Sequence, residues 1–256
     1  MSDRDKLKEM IKNGKAKEYL RDFDLTCSNL KGLDLRDVDL SSLDLSFCDL
    51  SGSDLRGANL KNVDLTASYL NGSDLSEADL TGSTLLGSDF IRSTLIKSNL
   101  TRCDLTYANL TGSNLSGAIF LYALLMETDL TEANLKNAHL TRANLTEVNL
   151  KSAHLEGAEL RGANLTCSNL TEADLMGSDL TGANLRGSDL SGSNLRWANL
   201  TAATFSALSK TPPLQRLPAA NCHEAPKHGK RHLPGMMKIN GSSSRRIQSL
   251  PRPKIL

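Results

Sequence analysis

Leucine or phenylalanine falls on every fifth residue from Leu25 to Phe205, giving 37 anchors in one frame with no insertion. Two further positions follow the anchor. Two residues before it sits a small side chain, as in Ser53, Ala58, Ser73, Ala78 and Ala133. One residue before it sits Asp or Asn, as in Asp54, Asn59, Asp74, Asp79 and Asn134. The unit reads small, Asp/Asn, Leu, x, x. Neither regular element accommodates it. On an α-helix five residues advance about 500°, so the leucines would spiral over every face. On a flat strand an odd spacing sends successive leucines to opposite sides.

The pattern works if the chain turns a corner every five residues. Each side is then a very short extended piece, with the small residue and the Leu both pointing inward. The Asp/Asn between them and the two x residues point outward. The product is a coil with an apolar bore, closed by stacking on its neighbours.

Runs such as Ala58 to Asn62 (Ala-Asn-Leu-Lys-Asn) and Ala78 to Gly82 (Ala-Asp-Leu-Thr-Gly) resemble the pentapeptide-repeat family, whose unit is written A(D/N)Lxx. The resemblance covers about 180 residues of the 256. It implies an all-β fold, a right-handed quadrilateral β-helix with four units per coil, hence about nine coils. At the usual strand separation of about 4.8 Å the stack would be about 45 Å long. Its stability should be a sum of nearest-neighbour coil interfaces.

Composition sets the remaining bounds. The net charge of +1 hides an asymmetry: residues 206–256 hold ten Lys/Arg and one acid, leaving −8 on residues 1–205. The chain opens on charged residues without an apolar leader, and no apolar run reaches membrane-spanning length. The five cysteines are odd in number, and Cys48 and Cys103 occupy the small inward position. Both facts fit a reduced, cytoplasmic protein. The Asn-Leu-Thr and Asn-Leu-Ser triplets are by-products of the repeat and carry no expectation of glycosylation.

Three segments are expected. Residues 1–22 read as an N-terminal helical cap, with Ser2 as N-cap, Leu7, Met10 and Ile11 on one face, and Asn13-Gly14 as the stop. A solenoid end exposes bore and unpaired edges, so covering it is the expected role. Residues 23–207 form the solenoid. Residues 208–256 hold all seven prolines and read as a disordered basic tail. The first coils depart from the unit, with Leu33, Val38 and Leu43 in place of the small residue, so the bore is expected to widen or shift there.

The main anomaly runs from Ile119 to Met126. Phe120, Leu125 and Ala123 are regular, but Ile119 and Leu124 hold Asp/Asn positions, and Leu121, Tyr122 and Met126 are outward x residues. Five apolar side chains should therefore face outward together. With residues 20 apart stacked, Arg102, Tyr122 and Arg142 form one column, an expected cation–π sandwich. Glu159 falls over His139 and His139 over Ile119. A clustered apolar surface with an Arg rim is the candidate partner site. It comprises Ile119, Leu121, Tyr122, Leu124, Met126, Arg102 and Arg142, and self-association through it is an alternative. His139 and His154 lie on different sides and share no ligand set, so no metal is expected. Trp197 is expected to pack near the C-terminal end.

No nucleophile–base–orienter set and no phosphate-binding glycine loop stands out, so neither an enzyme nor a cofactor is expected. The expected function is a non-enzymatic protein-interaction scaffold with an unidentified protein partner. The alternative, carried by the resemblance and compatible with the acidic coils, is a DNA mimic that binds a type II topoisomerase such as gyrase. The basic tail and the missing C-terminal helical module count against it. Direct nucleic-acid binding would fall to the tail, through Lys227 to His232 and Arg245-Arg246.

Overall fold

A computed structural model describes residues 24–206, with Glu9 and Ser209. The expected cap over 1–22 and tail over 208–256 therefore lie outside the described residues, apart from Glu9, which is exposed and helical, and Ser209. The described chain is β-helical. Each Asp/Asn-position residue pairs in parallel with the residue 20 positions on, from Asn29↔Asp49 to Asn184↔Thr204. Four units therefore make a coil, and the coil has four faces. We call them face 1 (the column through 44, 64 … 204), face 2 (29, 49 … 189), face 3 (34, 54 … 194) and face 4 (39, 59 … 199). Among the described residues, no helix is long and apolar enough to cross a membrane.

The bore is leucine. The anchors from Leu45 to Leu190 are at most 1 % exposed, including Phe90 and Phe120. Each such side chain gains about 1.5–3 kcal/mol from leaving water. The small inward residues close the gaps between anchors. Serines there turn to nearby carbonyls: Ser53 Oγ donates to the Leu50 carbonyl at 2.6 Å and Ser83 Oγ to the Leu60 carbonyl at 2.6 Å, whereas Ser113 Oγ finds no partner among the described residues. The bulky exceptions near the start do not break the register. Leu33 is 2 % and Leu43 8 % exposed, Val38 packs against the core, and Asp34↔Asp54 keeps the 20-residue step. At the other end, Leu195, Leu200 and Phe205 are only partly buried.

The Asp/Asn position has a second job, which outward orientation alone did not reveal. The unit around Asp54 shows it. The Asp54 amide donates to Leu33 O (2.8 Å), Leu55 to Asp74 O (2.7 Å), Gly57 to Ser76 O (3.0 Å) and Ala58 back to Leu55 O (3.0 Å). The fifth amide, of Arg56, has no carbonyl in reach and donates to Asp54 Oδ1 at 3.3 Å. The side chain thus caps the one backbone donor that the ladder leaves over. The same cap recurs at Thr81 on Asp79 (3.0 Å), Thr106 on Asp104 (3.0 Å) and Thr181 on Asp179 (3.0 Å).

The last residue of each unit turns the corner in the left-handed region. Every fifth residue from Cys27 to Ala202 has φ between 53° and 73°. Fourteen of these are glycine and 22 are not, and none of the 22 is Val, Ile or Thr. A branched Cβ is least tolerated at positive φ, so its exclusion is the steric signature of the corner.

Candidate partner-binding ridge

The left-handed residues line up as four ridges. The ridge between faces 4 and 1 runs Asn62, Gly82, Arg102, Tyr122, Arg142, Gly162. Tyr122 has φ 58° and is 49 % exposed. Across face 1 lies Leu124, 39 % exposed. Ile119, Leu121 and Met126 are half-buried, so the surface centres on Tyr122 and Leu124 rather than on five equal side chains. Arg102 and Arg142 are both exposed.

The expected sandwich is one-sided. The Arg142 guanidinium carbon stands 5.9 Å from the Tyr122 ring centroid, and Arg142 Nη1 donates to Tyr122 Oη at 3.5 Å. Among the described residues Arg102 makes no ring contact of this kind. His139 Nδ1 meets Glu159 Oε2 at 3.1 Å, as the stacking rule required.

Replacing Asp/Asn by Ile119 and Leu124 removes two caps. The Leu121 and Met126 amides make no hydrogen bond among the described residues. On face 4 the loss continues, because His139 and Glu159 do not cap either: the Thr141 and Arg161 amides are likewise unpaired. One coil before Leu121, Thr101 still donates to Asn99 Oδ1 at 3.1 Å, and one coil after Arg161, Thr181 donates to Asp179. The site therefore combines apolar side chains with a short run of uncapped backbone donors. The sequence carried this signal in the missing Asp/Asn residues; reading it required the knowledge that those residues cap.

In the first coils the charges are internally answered. On face 3, Arg36 bridges Asp34 (2.5 Å) and Asp54 (3.6 Å), and Arg56 bridges Asp54 (2.6 Å) and Asp74 (3.8 Å). The Arg36 hydrogen bond holds the Asp34 carboxyl down at about 2. Trp197 corrects the sequence expectation: it is 79 % exposed, with the Arg196 guanidinium 5.9 Å from its ring, and does not pack into the stack. Its corner position points any side chain away from the bore. Phe47 (52 %) and Tyr107 (40 %) are exposed corner residues that the sequence analysis did not single out.

Among the described residues no group of His, Cys, Asp and Glu is arranged to hold a metal ion. Two thiols are inert by construction. Cys48 Sγ donates to Leu25 O at 2.9 Å and Cys103 Sγ to Leu80 O at 2.8 Å. Burial pushes them up to about 11 and about 12. Fewer than about one in a thousand would be thiolate at neutral pH. Native-state alkylation followed by peptide mapping should label exposed Cys27 readily and leave Cys48 and Cys103 unmodified until the chain is denatured. Comparable native labelling of Cys103 would show that the bore opens.

A family model described as "Pentapeptide repeats" matches in eight copies between residues 19 and 207. Among solved structures, the chain is similar to HetL, a pentapeptide repeat protein involved in heterocyst differentiation regulation from Nostoc sp. strain PCC 7120. Identity is 26 % over 78 % of this chain and 97 % of that one, with a TM-score of 0.30. A trypsin-treated form of QnrB1, a plasmid-mediated fluoroquinolone resistance protein, is 21 % identical over 66 % and 89 %, with a TM-score of 0.48. A pentapeptide repeat protein of the Arabidopsis thaliana thylakoid lumen is 37 % identical over 43 % and 67 %, with a TM-score of 0.22. No curated protein matches the chain.

Proposed function

The chain belongs to the pentapeptide-repeat family, and from that premise we propose that it is a non-enzymatic interaction scaffold whose coil stack binds a protein partner through the surface around 119–126. Members of the family are generally structural or interaction proteins. The bore is filled by leucine, so the chemistry available to other molecules lies on the faces and ridges. One observation carries the reading. Tyr122 and Leu124 stand exposed side by side, and Leu124 occupies the position that Asp104 and Asn144 cap from in the coils just before and after it. Giving up a cap costs about 1 kcal/mol or more of local hydrogen bonding. An apolar side chain in its place earns nothing in solvent and gains only when it is covered.

The alternative, a DNA mimic directed at a topoisomerase, draws on the acidic first coils. There the Asp column of face 3 is interleaved with Arg36 and Arg56, which breaks up the phosphate-like row of charge. The scaffold reading is therefore the one we put forward.

The test is a pull-down with three baits: the intact chain, the Tyr122→Asp/Leu124→Asp variant and a chain ending at Ala207. Circular dichroism checks that each bait is folded. The partner should survive the truncation and disappear with the charged surface. Loss only on truncation would move recognition to residues 208–256. Retention by all three, with inhibition of a supercoiling assay by the intact chain, would favour the mimic.

A further inference from the structure

The ridge between faces 4 and 1 carries positive charge and unused donors at the same place. Arg102 and Arg142 flank Tyr122, and neither is in an ion pair among the described residues. Arg36, Arg56, Lys61 and Arg161 each meet an Asp, while Arg92, Lys97, Lys136 and Arg186, like the ridge pair, make no ion pair among the described residues. The uncapped amides of Leu121 and Thr141 lie one residue before Tyr122 and Arg142 in the same turns, and that of Met126 lies one turn on. The nearby acids are accounted for or stand apart. Asp104, paired with Leu124 on face 1, accepts the Thr106 amide at 3.0 Å. Glu159 is held by His139 at 3.1 Å. Glu127 stands on the next ridge, beyond Leu124 and Met126. No acid lies on the ridge itself between Asn62 and Gly182.

We propose that this ridge takes an apolar segment of a partner protein that carries two carboxylates, one on each side of its apolar contact. The inference rests on the scaffold reading and adds the partner's chemistry. Guanidinium groups and backbone amides without acceptors both call for anionic oxygen, and charge-assisted bonds of this kind are the stronger class. Tyr122, Leu121 and Leu124 supply the apolar contact between them. Arg102 and Arg142 are two coil steps apart, about 10 Å. One face of a helix spans about 10.5 Å between residues i and i+7, with i+3 and i+4 left to meet Tyr122. The chain's own residues 206–256, at net +9, have the wrong sign to occupy the ridge.

A display library of random peptides panned on the immobilised full-length chain tests this without a known partner. Selected peptides should carry Asp or Glu on both sides of an apolar pair. Their affinity should fall about tenfold or more on Arg102→Gln/Arg142→Gln, and should weaken as salt is raised. The variant Ile119→Asn gives a second readout. It returns a cap to the Leu121 amide, so it should raise the melting temperature while weakening the acidic peptides. Peptides that are lost on Tyr122→Asp/Leu124→Asp yet are neutral or basic, or that ignore both arginine changes, would overturn the charge inference and leave the scaffold reading standing. If no selected peptide distinguishes the Tyr122→Asp/Leu124→Asp chain from the intact one, the ridge is not a docking site and both readings fall.

Discussion

Leu110→Asp is expected to abolish cooperative folding of the central coils. Leu110 is fully buried in a bore lined by other anchors. Truncating a buried Leu costs about 2–5 kcal/mol before any charge is considered. The carboxylate must then either protonate or draw water into the bore, which costs several kcal/mol more. The sum rivals the roughly 5–15 kcal/mol that holds a whole domain together. Thr111→Asp, one residue away on the half-buried outside, should change stability by about 0.5 kcal/mol. Urea denaturation followed by circular dichroism separates the two. Hydrogen exchange should place the damage in the coils adjoining Leu110 and leave those around Leu165 protected, because coils interact only with their neighbours. A melting temperature for Leu110→Asp within a few degrees of the parent would mean that the bore is not a packed core.

The second large effect is one of phase. Deleting residues 131–135 removes one complete unit, so the anchor frame survives and the β-helix should form. Everything after the deletion is displaced by a quarter turn, however. Glu147 then takes the place of Arg142 over Tyr122, and the ridge reverses sign. Deleting residues 146–165, one full coil, leaves every column in phase. Engineered cysteines read this directly. Column neighbours in parallel pairing are about 4.8 Å apart, inside the range a disulfide spans. In the parent, cysteines placed by Tyr122→Cys and Arg142→Cys should cross-link almost fully under oxidation. In the five-residue deletion that pair should fail, and Tyr122→Cys with Glu147→Cys should link instead. In the 20-residue deletion the original pair should link as before. Linkage of the original pair after the five-residue deletion would refute the four-unit coil.

The five-residue coil unit was legible because anchor, small-residue and Asp/Asn spacings share one frame from Leu25 to Phe205, broken only locally as at Leu33, Val38, Leu43, Ile119 and Leu124; its four sides came from the resemblance to the pentapeptide-repeat family. Each reports a different side of the same unit: bore, gap and outer surface. The candidate site was legible at the level of residues, since Ile119 and Leu124 break the Asp/Asn rule. Its energetics were not. Burial of Leu121 and Met126 to an intermediate degree depends on side-chain direction at the corner, which the repeat does not encode. The uncapped amides depend on knowing that the ladder leaves one donor per unit, as at Arg56, a fact of backbone geometry. Trp197 misled because aromatic residues near an end invite a packing role. Its place in the frame, at a left-handed corner, was the better guide.

The corners have an evolutionary consequence. A non-glycine residue at left-handed φ carries a local penalty of about 1–2 kcal/mol, which glycine avoids. Where nothing selects a side chain, mutation should therefore drift a corner toward glycine, as Gly82, Gly112, Gly117 and Gly162 already display around the site. Arg102, Tyr122 and Arg142 stand against that drift at φ 59°, 58° and 56°. Among orthologues the corners thus act as a record of selection that the bore cannot provide, because every anchor is retained for packing alone. Persistence of bulk at 102, 122 and 142, with glycine spreading over the other corners, would mark the ridge as kept for what it meets.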